Sequence, residues 1–232
     1  MADGKMYCVK CREKRDGKNK EKVTMKNEYV LRSNFLFHYF TADNSEAKAV
    51  ALYENWEAVE KAADRDAELV LEAWPDEAAR DAFFKERASY YTSMHSDEIY
   101  SVLDGGKQLE AAPEKALLYY VRVSHLAFPA DAKDGEMKEL HSAFNENVTF
   151  KNEYVKAYYI YRHLYGMDSR QFTEVFAIED LASLEAMLKQ NGELADAKWS
   201  EEEQKEFGEN YGKYWTGFHA DYVYSGVLEL MK

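Results

Sequence analysis

The chain of 232 residues is short of the residues that usually fix a covalent frame or a reaction. Its two cysteines, Cys8 and Cys11, fall in a single C-x-x-C, so no disulfide framework is expected. Proline occurs three times. Positive charge is also scarce: 30 Lys and Arg stand against 43 Asp and Glu, a net charge of -13. A nucleic-acid binder must neutralise phosphates, so this balance argues against nucleic acid and equally against an anionic membrane surface. No apolar run approaches the roughly 20 residues that cross a bilayer. The opening MADGKMYCVKCREKR lacks the apolar stretch of a signal peptide, so a cytoplasmic location is expected. No P-loop, dinucleotide fingerprint, H-E-x-x-H or G-x-S-x-G is present.

What the chain does have is apolar and aromatic mass, 46% hydrophobic and 15% aromatic with 18 tyrosines, enough for a sizeable core. Charge is uneven along it. Residues 1–25 carry Lys5, Lys10, Arg12, Lys14, Arg15, Lys18, Lys20 and Lys22 against Asp3, Glu13, Asp16 and Glu21. This basic arm on an acidic body reads as a solvated tail or as an element docked by charge.

The strongest signal is an internal repeat. VTMKNEYV at 23–30 recurs as VTFKNEYV at 148–155. At the same offset of 125, identities continue at His38/His163, Asp43/Asp168, Val50/Val175, Glu54/Glu179, Leu69/Leu194 and Trp74/Trp199. One residue is then dropped, and Thr92/Thr216, His95/His219, Asp97/Asp221, Tyr100/Tyr224 and Ser101/Ser225 match. The chain therefore divides into a basic N-terminal segment 1–25, a first copy 26–104, a link 105–115 and a second copy 116–232.

The second copy reads as strand Leu117–Val123, helix 136–155, strands Tyr158–Tyr165 and Phe172–Ile178, and a helix capped by Asp180 and ended by Gly192. A second helix opens on a Ser200/Glu203 capping box, and strand Ala220–Leu230 closes the unit. The order β-α-β-β-α-β is the ferredoxin-like split unit. The first copy offers strands Asn34–Phe40, 49–54 and Ile99–Leu103, a helix over 56–72 and another starting at Pro75. Its opening is less regular: a strand Met6–Arg12 and a helix over 18–30, about two turns shorter than its counterpart. The fold class expected is α+β, two tandem ferredoxin-like (βαββαβ) units in one barrel-like body.

Three segments, the KNEYV entry to the second strand, the W-[PS]-[DE]-E helix start and T-x-x-H-x-D-x-x-Y-S before the last strand, resemble the dimeric α+β barrel superfamily. That superfamily includes antibiotic-biosynthesis monooxygenase-like and NIPSNAP-like proteins, and the nearest resemblance is to bacterial proteins carrying the barrel twice. It implies two sheets joined into a barrel. It also implies a small-molecule-binding protein, monooxygenase-like and needing no cofactor, acting on an apolar or aromatic ligand. The other reading is a non-catalytic stress or assembly module that works by homo-oligomerisation. The N-terminal YCVKCREKR with KVTMKN resembles the first half of a small zinc ribbon. Structural zinc takes four ligands, so Cys8 and Cys11 would hold it only if a dimer completed the site.

Four histidines and two aspartates stand out as candidates for catalysis. His38 shares a strand face with Leu36 and Phe40, and His163 with Tyr161 and Tyr165. Each could be a general base in an aromatic cavity, with Tyr161, Tyr165 and Phe40 against a ligand, or a core histidine held by one hydrogen bond. In H-x-D, His95 with Asp97 and His219 with Asp221, the carboxylate could orient the imidazole, or take backbone N–H groups in a turn. In a ferredoxin-like unit the second and fourth strands are the sheet edges. Joining two units edge to edge would bring His38 towards His219 and Asp221, and His163 towards His95 and Asp97.

Overall fold

The computed structural model describes residues 5–8, 13–16, 26–41, 43–92 and 94–231. In chain order the elements are strands β1 (Lys5–Cys8), β2 (Glu13–Asp16), β3 (Arg32–His38) and β4 (Ala47–Leu52), then helices α1 (Trp56–Ala73) and α2 (Glu77–Ala88). Strands β5 (Ile99–Val102) and β6 (Leu118–Leu126) follow, then helix α3 (Glu136–Phe144), which runs into a π-helical turn, Asn145–Thr149. Strands β7 (Ala157–Tyr165) and β8 (Gln171–Ile178), helices α4 (Leu181–Lys198) and α5 (Glu201–Gly212) and strand β9 (Trp215–Gly226) complete the chain. They form two compact units: residues 1–35, 47–95 and 230–232, and residues 36–46 and 96–229.

The second unit carries the candidate site. Its antiparallel sheet places β9, β6, β8 and β7 side by side, the strand order of one complete ferredoxin-like unit. Two strands of the first copy add to its edges. Leu36 and His38 of β3 lie opposite Gly226 and Tyr224 of β9, and Tyr100 of β5 lies opposite His163 of β7. The second strand of each copy thus pairs with the last strand of the other, as the edge-to-edge expectation required. This explains why residues 36–46 and 96–104, first copy by sequence, belong to the same unit as the second copy. The link is not a free tether, because Lys107 bridges to Tyr158.

Strand alternation gives this sheet two apolar faces. Leu118, Tyr120, Phe172, Phe176, Tyr158, Ile160 and Val223 pack with Met137 of α3 and Leu184 and Met187 of α4. On the other face Tyr119, Val121, Ala157, Ala177, Tyr224 and Leu36 form a second cluster containing no residue of the unit's own helices. Burying both faces gives these strands the continuous apolar runs seen in LLYYVRV and AYYIY.

Helix limits follow local chemistry. The helix expected over 136–155 stops short of Asn152, whose side chain accepts the Tyr154 N–H at 3.0 Å and removes that donor from the helix. In the first copy Asn27 accepts the Tyr29 N–H at 3.1 Å, so residues 26–30 of the expected 18–30 helix form a turn. Gly192 does not end α4. The helix runs through it to Lys198, since an interior glycine costs only about 1 kcal/mol. The Ser200/Glu203 capping box opens α5 as expected.

In the first unit, β4 lies beside the start of β3, with the Leu31 N–H donating to Leu52 at 2.9 Å. Helix α1 is capped by Asn55, buries Ala58, Ala62 and Leu69, and is followed by Trp74 stacked on Phe83 at 4.5 Å. Strands β1 and β2 pair only with each other, Lys5 opposite Asp16 and Cys8 opposite Glu13. Residues 6–8 of the expected strand Met6–Arg12 lie in β1, and residues 9–12 lie outside the described residues. The side chains of Cys8 and Cys11 lie outside the described residues, so the zinc expectation is not addressed by this geometry. Among the described residues, no helix is long and apolar enough to cross a membrane.

Candidate functional site

Between the second unit's sheet and its helices α3 and α5 lies a chain of polar groups set in aromatic side chains. Tyr158 of β7 is fully buried and donates its phenol to Glu174 of β8 at 2.5 Å. His141 of α3 stands above it, with Nε2 3.2 Å from the Tyr158 hydroxyl and Nδ1 2.7 Å from the Tyr211 hydroxyl of α5. Hydrogen inventory orders this chain. A carboxylate only accepts and a phenol has one proton. With Tyr158 donating to Glu174, its oxygen accepts from His141 Nε2–H, and Nδ1 accepts from Tyr211. The result is a directed relay from Tyr211 through His141 and Tyr158 to Glu174.

The aromatic wall positions these groups. His141 meets the edge of Phe172 at 5.3 Å, Phe172 meets Trp215 at 5.2 Å, and Trp215 meets Tyr211 at 5.4 Å. Burial lowers the His141 pKa below its ordinary value, against an opposing effect of Glu174. Burial raises Tyr158 and Tyr211, and Glu174 raises both further because a phenolate beside a carboxylate is unfavourable.

A second polar group adjoins on the same face. Arg122 of β6 lies in register between Glu174 and Asp221. It donates to the Tyr120 hydroxyl at 2.8 Å and to Asp221 at 3.3 Å, and Tyr120 donates to Asp221 at 2.5 Å. Burial, then the bond to Asp221, pushes the Tyr120 pKa up to about 12. His219 Nε2 lies 3.1 Å from Asp221, so this H-x-D is an ion-pair geometry reaching the surface.

The remaining candidates are placed as follows. His38 is cross-strand from Tyr224, hence on the face opposite Asp221. The strands meet, but alternation separates these side chains. His95 and Asp97 are exposed and precede β5. A carboxylate oxygen of Glu98 lies 3.8 Å from His163 Nε2. Tyr161 is partly buried on the His163 face, while Tyr165 and Phe40 are 63% and 76% exposed. Among the described residues no group of three or more His, Cys, Asp or Glu could hold a metal ion. Sequence reasoning missed His141, Glu174 and Tyr211 because they have no counterpart in the first copy. His141 was absorbed into a helical run, and only its polar character opposite a tyrosine-rich strand marked it.

An open depression of about 460 Å³ lies on the outer side of α3, lined by Lys138, Glu139, Ser142 and Glu146, and includes no member of the relay.

No protein-family model and no curated protein matches the chain. Among solved structures it is similar to an anthrone oxidase-like protein, with TM-score 0.50 and 12% identity over 87% of this chain and 78% of that one. A presumed monooxygenase from Lactobacillus acidophilus NCFM aligns at TM-score 0.46 and 11% identity, over 87% and 78% of the two chains. One from Fusobacterium nucleatum aligns at 0.46 and 12%, over 87% and 77%. At these identities the likeness is one of fold: the chain shares a mixed α+β fold with the anthrone oxidase-like protein.

Proposed function

We propose that the chain is a small-molecule-binding α+β barrel protein with cofactor-independent, monooxygenase-like chemistry on an apolar or aromatic ligand. One observation carries the reading: a buried imidazole inside an aromatic wall, aligned by a tyrosine onto a carboxylate. A hydroxyaromatic ligand would take the place of the Tyr211 hydroxyl at His141 Nδ1. The imidazole takes the ligand's proton, and Glu174 stabilises the resulting charge through Tyr158. The deprotonated ligand then reduces dioxygen directly. A ring methylene becomes a carbonyl, one oxygen atom is retained, and the other leaves as water. The anthrone oxidase-like neighbour supports polycyclic hydroxyaromatics as the first ligands to try.

The test combines thermal shift with oxygen uptake. A hydroxyaromatic that binds the native state raises the melting temperature. Tyr158→Phe should then slow oxygen uptake by roughly 100-fold, the scale of a lost acid–base alignment. If no hydroxyaromatic shifts melting and none is oxidised, the proposal fails.

A specific observation favours a second reading. The relay is packed by side chains, and the depression on α3 lies away from it. This suits a non-catalytic module that acts by self-association, which concentration-dependent sedimentation would reveal. On either reading the two halves are proposed to descend from one duplicated unit, and residues 1–25 to be either the opening strand and short helix of the first copy or a segment derived from half of a zinc ribbon.

A further inference from the structure

The second unit has four buried side-chain atoms with no hydrogen-bond partner: His38 Nε2, His125 Nδ1, His163 Nε2 and Thr173 Oγ1. All four lie on one face of the sheet, the face away from the unit's helices. Register shows this. Thr173 shares a face with Ala177, His125 lies opposite Gln171, His163 opposite Tyr100, and His38 opposite Tyr224. A buried polar group without a partner is costly, and native proteins have few of them. Among the described residues of this unit, four on one face and none on the helix-bearing face is a pattern that points to a ligand.

Three of these atoms form a patch. On β8, Gln171 and Thr173 are successive residues of this face. His125 on β6 is directly opposite Gln171, and His163 on β7 occupies the adjacent position on the other side. Two strand spacings separate β6 from β7, so the imidazoles stand about 10 Å apart. Their side chains are only 10% and 5% exposed. His125 Nε2 faces Asp168 at 2.7 Å, which leaves Nδ1 as the ring atom open to a ligand. Two aromatic side chains flank the patch. Phe218 lies 4.7 Å from the His125 ring and is 65% exposed, directly after Gly217 at φ 80. Tyr100 stands edge-on to His163 at 6.1 Å and donates to Gln171 at 2.9 Å.

We propose that this face is a second binding site, separate from the Tyr158 relay, for an uncharged ring-sized molecule bearing hydroxyls at its two ends. One hydroxyl donates to His125 Nδ1 and the other meets His163 Nε2, while the ring lies over Thr173 in place of Phe218. The ligand is uncharged because the patch offers acceptors and an amide without a free cation, and Asp168 and Glu98 stand behind the two imidazoles.

The test uses the full chain with a para-linked biphenyl diol and its dimethyl ether, which lacks donors. The diol should raise the melting temperature and the ether should not. His125→Leu and His163→Leu should each weaken diol binding at least ten-fold by calorimetry. Thr173→Val removes an unpartnered hydroxyl at constant shape, so it should melt no lower than the parent. Tyr158→Phe should bind the diol unchanged, which separates this site from the relay. Loss of diol binding in Tyr158→Phe alone would assign the ligand to the relay and overturn the proposal. So would equal binding of the ether, a zinc-dependent shift lost in His163→Leu, or a marked fall in the melting temperature of Thr173→Val, which would show its hydroxyl held by structural water.

Discussion

Asn152 donates its side-chain amide to the carbonyl of Met187 at 2.9 Å. The same asparagine reaches Asn191 and caps Tyr154, and it is fully buried. Asn27 does the same 125 positions earlier, donating to the Ala62 carbonyl at 2.8 Å and to Asp66 at 2.7 Å and capping Tyr29. One side chain thus ties the turn before a strand to the middle of a helix, in each copy.

Replacing either asparagine should therefore be expensive. Asn152→Ala leaves the Tyr154 N–H without its acceptor and removes the buried side-chain bonds to Met187 and Asn191, and should lower unfolding stability by about 1–3 kcal/mol. Asn27→Ala should act in the same direction on the first unit. Urea titrations of the two variants check this. A loss below about 0.5 kcal/mol, typical of a surface change, would count against the buried tie.

Gly106 should tolerate no side chain. A Cβ there would lie 2.7 Å from the Tyr158 carbonyl oxygen, a backbone atom that cannot swing away. The Lys107 N–H donates to that same oxygen at 2.8 Å, so relief would break the bridge that fastens the link. Gly106→Ala should cost about 1–3 kcal/mol, the usual range for overpacking. Thermal denaturation reads it, and amide exchange at Lys107 should speed up.

The buried histidine sets a pH dependence. His141 has its pKa lowered from 6.5 in the fold by burial, so the unfolded chain binds a proton more readily. Stability from this group is present above pH 6.5 and is lost as pH falls below it, towards the depressed folded value. Chemical denaturation at pH 7.5 and at pH 5.5 should show a loss that His141→Gln reduces, within about 1 kcal/mol per unit of pKa difference. An unchanged slope in the variant would remove His141 as its source.

Zinc is expected not to be held tightly by one chain. Cys8 and Cys11 supply two thiolates where a structural site takes four ligands. Elemental analysis after dialysis should find far less than one zinc per chain. One zinc per two chains, together with a dimer mass, would instead show a shared site.

Much of the architecture was legible because the repeat aligned one copy against the other. Strands and helices of the second copy followed from apolar periodicity, and edge pairing between copies followed from ferredoxin-like strand order. What escaped was set by side-chain competition over one or two residues: Asn152 closes off a helical run that hydrophobic spacing alone would extend, and Asn27 holds residues 26–30 in a turn. The candidate site was legible only in part. His163 and His38, which match between the copies, do lie on the face away from the second unit's helices. The relay residues His141, Glu174 and Tyr211 are unmatched between copies. Their association depends on how α3 and α5 cross the sheet, a tertiary property no local pattern encodes. Strand alternation also placed His38 and Asp221 on opposite faces, which required the register to be known.

The pairing of β3 with β9 has a consequence for how the protein is made. Tyr39 donates its N–H to Val223 at 2.8 Å, and Thr41 accepts the Val223 N–H at 2.6 Å. Residues 36–46 therefore leave the ribosome long before their hydrogen-bonding partners exist. The second unit cannot close this edge until the chain has been synthesised as far as β9. Closure over such a sequence separation is slow, and a strand edge left waiting invites wrong partners. Arg32, exposed at the start of β3, puts a charge on this waiting edge, which disfavours wrong pairing.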